Sequence, residues 1–442
     1  MWGKERIFET LEGLMKKLPF ERNELVLVIN TEELTRFANN RIHQNVGEVN
    51  LNLFIRVGEN KRKAVIEINR IDEDSFKNAI ESLKIILKNQ PENEELILPK
   101  PQDYKEVNNV TFEPSPEKRA QIVNKIIKIG EEKELNTFGA VSENIMELGV
   151  MNSNGLFGYA PIGYAHGKVM YMSDTSSGYQ ECSGNNMESI DFEYLSYRAL
   201  EKCLLSQNPQ DLEPGKYTVI LEPLAVSEMM EQVSYFGFSA KAVREKRSFL
   251  ALYQGQQIFS TKVNIYDDGL DPKGIIIPID FEGVPKKRVE LVRDGIPLGP
   301  VYDTYEGEKV GKESTGHALP PTNNFGPLPS NLFFVPGEVS LEEMISKLEK
   351  GILVTRFHYV NAFLDPINVL ATGMTRDGTF LIENGKIKKP IKNMRFTQSF
   401  ISALGNVEEI SKETVIMPFF AGFSRVPGLR IKDFNFTGTT EF

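Results

Sequence analysis

Histidine and cysteine are scarce: four histidines, at 43, 166, 317 and 358, and two cysteines, at 182 and 203, stand among 442 residues. No two histidines are close enough to share one turn of helix, so a local HExxH zinc motif is excluded. Each histidine reads instead as an ordinary polar residue. Two cysteines without CxxC spacing exclude a disulfide framework and a cysteine zinc site, which points to a reducing, intracellular setting. No apolar run approaches the roughly 20 residues that span a bilayer. The opening segment, Met1 to Pro19, mixes Lys and Glu among its apolar residues and lacks a signal-peptide core. A cytoplasmic location with no membrane partner is therefore expected. Basic charge is not in excess either. The formal net charge is -10, whereas nucleic-acid binders gather Lys and Arg on one face. Lys241 to Arg247 and Lys386 to Lys392 are short and read as solvated surface.

Catalytic signatures are equally sparse. There is no G-x-S-x-G nucleophile elbow. Gly307 to Glu313 is one residue short of a phosphate loop and carries Glu313 where a Ser or Thr would bind magnesium. The acid pairs Asp267-Asp268 and Asp280 with Glu282 could hold a cation, but acidic turn residues are ordinarily solvated, and that reading is preferred.

What is present is an ordinary globular interior, 40% hydrophobic and 25% charged, on a chain long enough for two domains. Trp2 to Leu18 carries apolar residues at helical spacing. Short β-rich runs follow at 25–29, 49–57 and 64–68, and then a helix that starts at Asp72. The stretch Asn89 to Pro114 breaks the periodicity and is expected to run over the surface. Ser115-Pro116-Glu117 opens another helix. Strand-like pieces from Thr137 to Tyr179 and a helix through Phe192 to Leu204 repeat the order helix, strands, helix. Turn signals at Ser206 to Gly215 mark the boundary. Beyond it come a buried strand at Tyr217 to Leu221, a helix at Leu224 to Phe236, and short strands and loops from Ile258 onward. The expected fold class is α+β: an N-terminal α/β domain with an internal duplication over residues 1–210, and a β-rich C-terminal domain over 211–442. The aromatic loops Phe325 to Pro336 and Phe419 to Pro427 read as packing loops in preference to walls of a ligand path.

Several stretches carry a further signal through their order and spacing. They are Arg36-Phe37-Ala38-Asn39-Asn40-Arg41-Ile42-His43-Gln44; Met151-Asn152-Ser153-Asn154-Gly155 with Ser176-Ser177-Gly178; Gly215 to Pro223; Ile279-Asp280-Phe281-Glu282-Gly283-Val284-Pro285 with Arg293-Asp294-Gly295 and Ser314-Thr315-Gly316; and the tail Phe380 to Ile387, Pro390-Ile391-Lys392 and Leu429 to Thr439. Together they resemble the TldD/PmbA family across nearly the whole chain. In the family's peptidase subunit an HExxxH helix and a C-terminal cysteine hold zinc, and the glutamate activates water. By that resemblance Ser227 and Gln232 stand at the histidine positions and Glu228 alone is retained. No cysteine follows Cys203. Hydroxyl and amide are poor substitutes for imidazole and thiolate on zinc, so Glu228 is read as a helix-surface carboxylate without a metal to work with.

The pattern is similar to the PmbA-like (TldE) branch. That resemblance implies a non-catalytic subunit with no cofactor of its own, paired with a TldD-type paralogue that carries zinc, the two enclosing unfolded peptides for proteolysis. The alternatives are a peptidase in its own right with a site built from distant residues, and a homodimer that binds peptides or a regulatory protein.

Overall fold

Ile7, Leu11 and Leu14 recur every three or four positions. The computed structural model, which describes residues 1–92 and 95–440, forms helix α1 there (Lys4–Met15) and buries all three. Strands β1 (Arg22–Ala38) and β2 (Arg41–Glu59) make a long hairpin. It turns at Asn39 and Asn40, both at positive φ, a conformation asparagine tolerates better than most residues. Strand β3 (Arg62–Ile68) and helix α2 (Glu73–Asn89) follow, and the Asp72 carboxylate caps α2 by accepting a bond from the Ser75 N–H. Helix α3 (Pro116–Glu131), capped by Ser115, leads into strands β4 (Asn136–Asn152), β5 (Phe157–Met172) and β6 (Ser177–Gly184) and helix α4 (Phe192–Leu205).

These six strands form one antiparallel sheet in the order β3-β2-β1-β4-β5-β6. Each half is a helix, a three-strand meander and a helix, and the first strands of the two halves pair at the centre. The duplication expected from element order is present. Because side chains alternate across a strand, Leu25, Leu27 and Ile29 of β1 pack with Ile7 and Leu83 on one face. Val26 and Val28 face the other way, onto Ile279 of the second half of the chain.

The second sheet begins with β7 (Gly215–Leu221), whose Val219, Ile220 and Leu221 are fully buried, and helix α5 (Pro223–Gly237) follows directly. Strands β8 (Ile265–Asp267), β9 (Val289–Arg293), β10 (Ile296–Pro297) and β11 (Asn331–Phe334) are short. The remainder departs from expectation. Strands β12 (Lys350–Asp365), β13 (Leu370–Glu383) and β17 (Gly422–Thr439) are long, with β14 (Lys386–Pro390), β15 (Met394–Ser399) and β16 (Val407–Phe419) between them. Register shifts within the β12–β13 pairing, between Val354 and Arg356 and twice more before Asp365, interrupt the alternation by which a strand is read. The sequence therefore looks like short pieces. Strand β7 bonds to both β12 and β17, so β7, β12, β13, β15 and β17 close into a ring around Phe357, Phe396 and Phe434.

The stretch 89–114 is also more than a surface run, residues 93 and 94 lying outside the described residues. Leu96 and Leu98 are buried, and the Asn109 amide donates to the Ile276 carbonyl at 2.8 Å while accepting from the Gly163 N–H. Among the described residues no helix is long and apolar enough to cross a membrane.

Candidate functional site

Helix α5 is set at the junction of the two halves. Its first residue is Pro223, favoured at a position whose N–H has no intrahelical partner. The preceding carboxylate, Glu222, is gripped by two cations of α4, Lys202 at 2.6 Å and Arg198 at 3.1 Å. Lys202 is itself buried and donates to Gln180 of β6. The start of α5 is thereby fixed to the first sheet.

Eleven residues of α5 are buried, and those left partly open include Glu228, Glu231, Gln232 and Tyr235. The spacing i, i+3, i+4, i+7 is one face of a helix. Glu228 and Gln232 are therefore neighbours on the open stripe. Ser227 is not: five residues set it about 140° around the axis from Gln232, and its Oγ lies 3.1 Å from Ser424 Oγ of β17, in the core. Of the three positions carried over from the family motif, the fold brings two together and turns the third inward. A hydroxyl engaged with the sheet, a carboxylate and an amide do not make a zinc site. Among the described residues no three His, Cys, Asp or Glu side chains converge as metal ligands.

Glu228 is not the solvated surface carboxylate expected from sequence. Burial raises its pKa from 4.5 to about 7, with the Glu231 and Glu181 charges adding to the rise and Arg356 opposing it. Arg356 and Glu181 belong to a network that sequence reading missed. The Arg356 guanidinium of β12 bonds the Asp377 carboxylate at 2.5 Å and lies 4.2 Å from the centre of the Tyr179 ring. Asp377 also accepts from Ser177 Oγ. On β6, Glu181 accepts from Tyr179 and lies 3.4 Å from His166 Nε2, while His166 Nδ1 is 3.0 Å from Ser183 Oγ. Although burial works against it, the bond from His166 holds the Glu181 pKa below its usual range. The Ser177–Asp377 partners are 200 residues apart, and only the Ser176-Ser177-Gly178 motif hinted at one end of the link.

The other end of the stripe meets aromatic rings. Glu231 accepts from the Phe420 N–H at 2.9 Å, and the Tyr235 ring stands edge-on to Phe325 at 5.0 Å and Phe420 at 5.9 Å. Phe325 and Phe420 come from the two loops read as packing loops, yet both are exposed. They form an aromatic rim beside the open stripe, whereas the rest of the two stretches packs as expected, with Leu328, Leu332, Phe334, Phe423 and Val426 buried.

The acid pairs are likewise not solvated turns. Asp267 is fully buried against His317 at 2.8 Å, with Lys286 near by. Burial alone would raise its pKa, but the Lys286 charge and the bond to His317 hold it at about 2. Asp280 accepts bonds from the N–H groups of Glu282, Val284 and Ala318. Glu282 bonds Arg56 of β2 at 3.0 Å, and Arg56 also holds the buried Glu24. Burial raises the Glu24 pKa to about 7. Through Arg56, Glu282 clasps the second half of the chain to the first sheet, whereas Asp267 and Asp280 brace the second half internally. Gly283 makes the approach feasible, since its φ is +74° and a Cβ there would fall 2.6 Å from Leu156.

The chain is of the α+β class, two packed sheets with a polar stripe along α5, and the proteins it is similar to are metallopeptidase-related. The sequence pattern of the PmbA/TldA metallopeptidase C-terminal domain matches residues 214–438, and the chain belongs to this PmbA/TldD family. It is 28% identical over 286 residues to an uncharacterized protein of Methanocaldococcus jannaschii, covering 63% of each chain. To a protein named metalloprotease PmbA of Escherichia coli it is 25% identical over 294 residues, covering 61% of this chain and 59% of that one. The matches thus span less than two thirds of the length of these curated relatives. The fold superposes on the crystal structure of TldE from Thermococcus kodakarensis with a TM-score of 0.87, 24% identity, and coverage of 98% of this chain and 100% of that one.

Proposed function

We propose that this chain is the non-catalytic, PmbA/TldE-like subunit of a TldD-type zinc metallopeptidase complex. In this reading it helps to enclose unfolded peptides while a TldD-type paralogue in the cytoplasm supplies the zinc. The observation that carries it is the composition and geometry of α5: Ser227 faces the core, Gln232 offers an amide, and the helix has no histidine to hold a metal beside Glu228. A carboxyl alone lacks the means to activate water strongly. The partly open stripe of α5 nevertheless has polar neighbours in Arg356 and Glu181 and an aromatic rim at Phe325 and Phe420, features useful for holding a peptide. The two halves, 1–210 and 211–442, act as separate domains joined at the clasp around Arg56.

Sedimentation of the purified chain with a zinc-motif paralogue from the same cell tests the assembly. A species containing one copy of each is expected. Components that sediment independently at micromolar concentration would overturn the pairing and favour a homodimer. The reading as a peptidase in its own right draws on one observation, a largely buried Glu228 whose pKa burial raises to about 7.

A further inference from the structure

A cavity of about 660 Å³ lies between the central strands of the first sheet and the loops of the second half. That volume is within the range of about 300–1,000 Å³ typical of ligand sites. Its floor is a single sheet face. Asn30 and Glu32 stand two residues apart on β1; Asn50 of β2 lies directly across from Asn30, and Asn144 of β4 directly across from Glu32. Asn30, Glu32 and Asn50 are exposed, and among the described residues their side chains have no hydrogen bond or ion pair. Asn144 donates only to Ser142 Oγ. The roof is largely apolar, with Ile279, Phe281, Phe419 and Phe423 beside the polar Asp280, Lys286, Asn323 and Ser330, and Phe419 adjoins the aromatic rim at Phe420.

Central strands do not ordinarily spend exposed positions on unpartnered amides, because Asn is depleted in strands and packs poorly there. What a carboxamide offers is one donor group and one acceptor group, the complement of a peptide unit. Residues two apart on a strand are about 6.6–6.8 Å apart, which is also the two-residue repeat of an extended chain. Asn30 and Asn50 share one cross-strand row and Asn144 stands in the row one such repeat further along, so these amides can bond alternate backbone groups of an extended peptide running along the strands whatever its sequence, while the apolar part of the roof covers its side chains. A folded protein is too large for the cavity.

We infer that this sheet face is a sequence-independent track for the backbone of an extended, unfolded peptide, with Asn30 and Asn50 as its principal contacts. The inference rests on the peptide-enclosing role proposed above and names the surface that performs it. Glu32 adds a preference for peptides carrying a cationic side chain near that point.

Fluorescence anisotropy with a dye-labelled, unstructured peptide of about a dozen mixed residues tests the track on the purified chain and on its mixture with the zinc-motif paralogue. The double variant Asn30→Ala, Asn50→Ala is expected to bind about tenfold more weakly, since each lost bond to a desolvated peptide group is worth a few-fold. The same peptide methylated at alternate backbone nitrogens should lose a similar factor on the parent chain and little more on the variant. Both asparagines are exposed, so the unfolding midpoint should be unchanged, and Asn30→Ser, Asn50→Ser should restore part of the binding. Equal binding by parent and double variant, or indifference to backbone methylation, would overturn the track. A mixture that cleaves with a KM unaffected by the double variant sinks the track and leaves the subunit role standing. Weakened peptide binding in a mixture that never cleaves does the reverse.

Discussion

Glu228 shows how far an environment can move one residue from its sequence reading. Its neighbours along the helix are Met229 and Met230, both fully buried, and the chain gives no sign that Arg356 and Glu181 lie across the cleft. With its pKa raised from 4.5 to about 7, the folded chain holds a proton that the unfolded chain releases between those values. Its contribution to stability is therefore full below about pH 4.5 and is lost as pH rises toward 7. Glutamine needs no proton. E228Q should be more stable than the parent at pH 8, by on the order of 1–3 kcal/mol, and equal to it near pH 4. Urea unfolding at the two pH values measures this; a variant less stable at pH 8 would show that Arg356 stabilises the ionised carboxylate by more than burial disfavours it.

At the scale of elements, periodicity located α1, α2, α3, α4 and α5, with recognisable starts at Asp72 and Ser115, and the apolar run from Tyr217 to Leu221 located β7. The β12–β13 hairpin was not legible as long strands, because bulges shift the inward face from one parity to the other. The acidic turn Asp280 to Val284 read as solvated because nothing local reveals Arg56, more than 200 residues earlier, as the partner of Glu282. Within that turn Gly283 is the least replaceable residue. Adding a methyl group forces a left-handed backbone on alanine and a collision with Leu156. G283A should cost about 1–3 kcal/mol in denaturant unfolding and loosen the contact between the halves. An unchanged midpoint would show that the clasp does not depend on this approach.

For the whole molecule, the family resemblance and the α+β class were readable from motif order alone, whereas the site was only partly so. Ser227, Glu228 and Gln232 were placed on one helix, and helical spacing sets Ser227 apart from Gln232, but which face stays open depends on how α5 is rolled against β12 and β17. The polar track on the first sheet was invisible, since Asn30, Asn50 and Asn144 become neighbours only through strand register. These features fit a chain that lines a chamber and leaves the chemistry to its partner. Peptide cleavage together with zinc content, measured on the chain alone and after mixing with its zinc-motif paralogue, tests that division of labour most directly. Cleavage by the mixture alone, with zinc confined to the paralogue, is the predicted result. Stoichiometric zinc on this chain with cleavage that E228Q abolishes would contradict it.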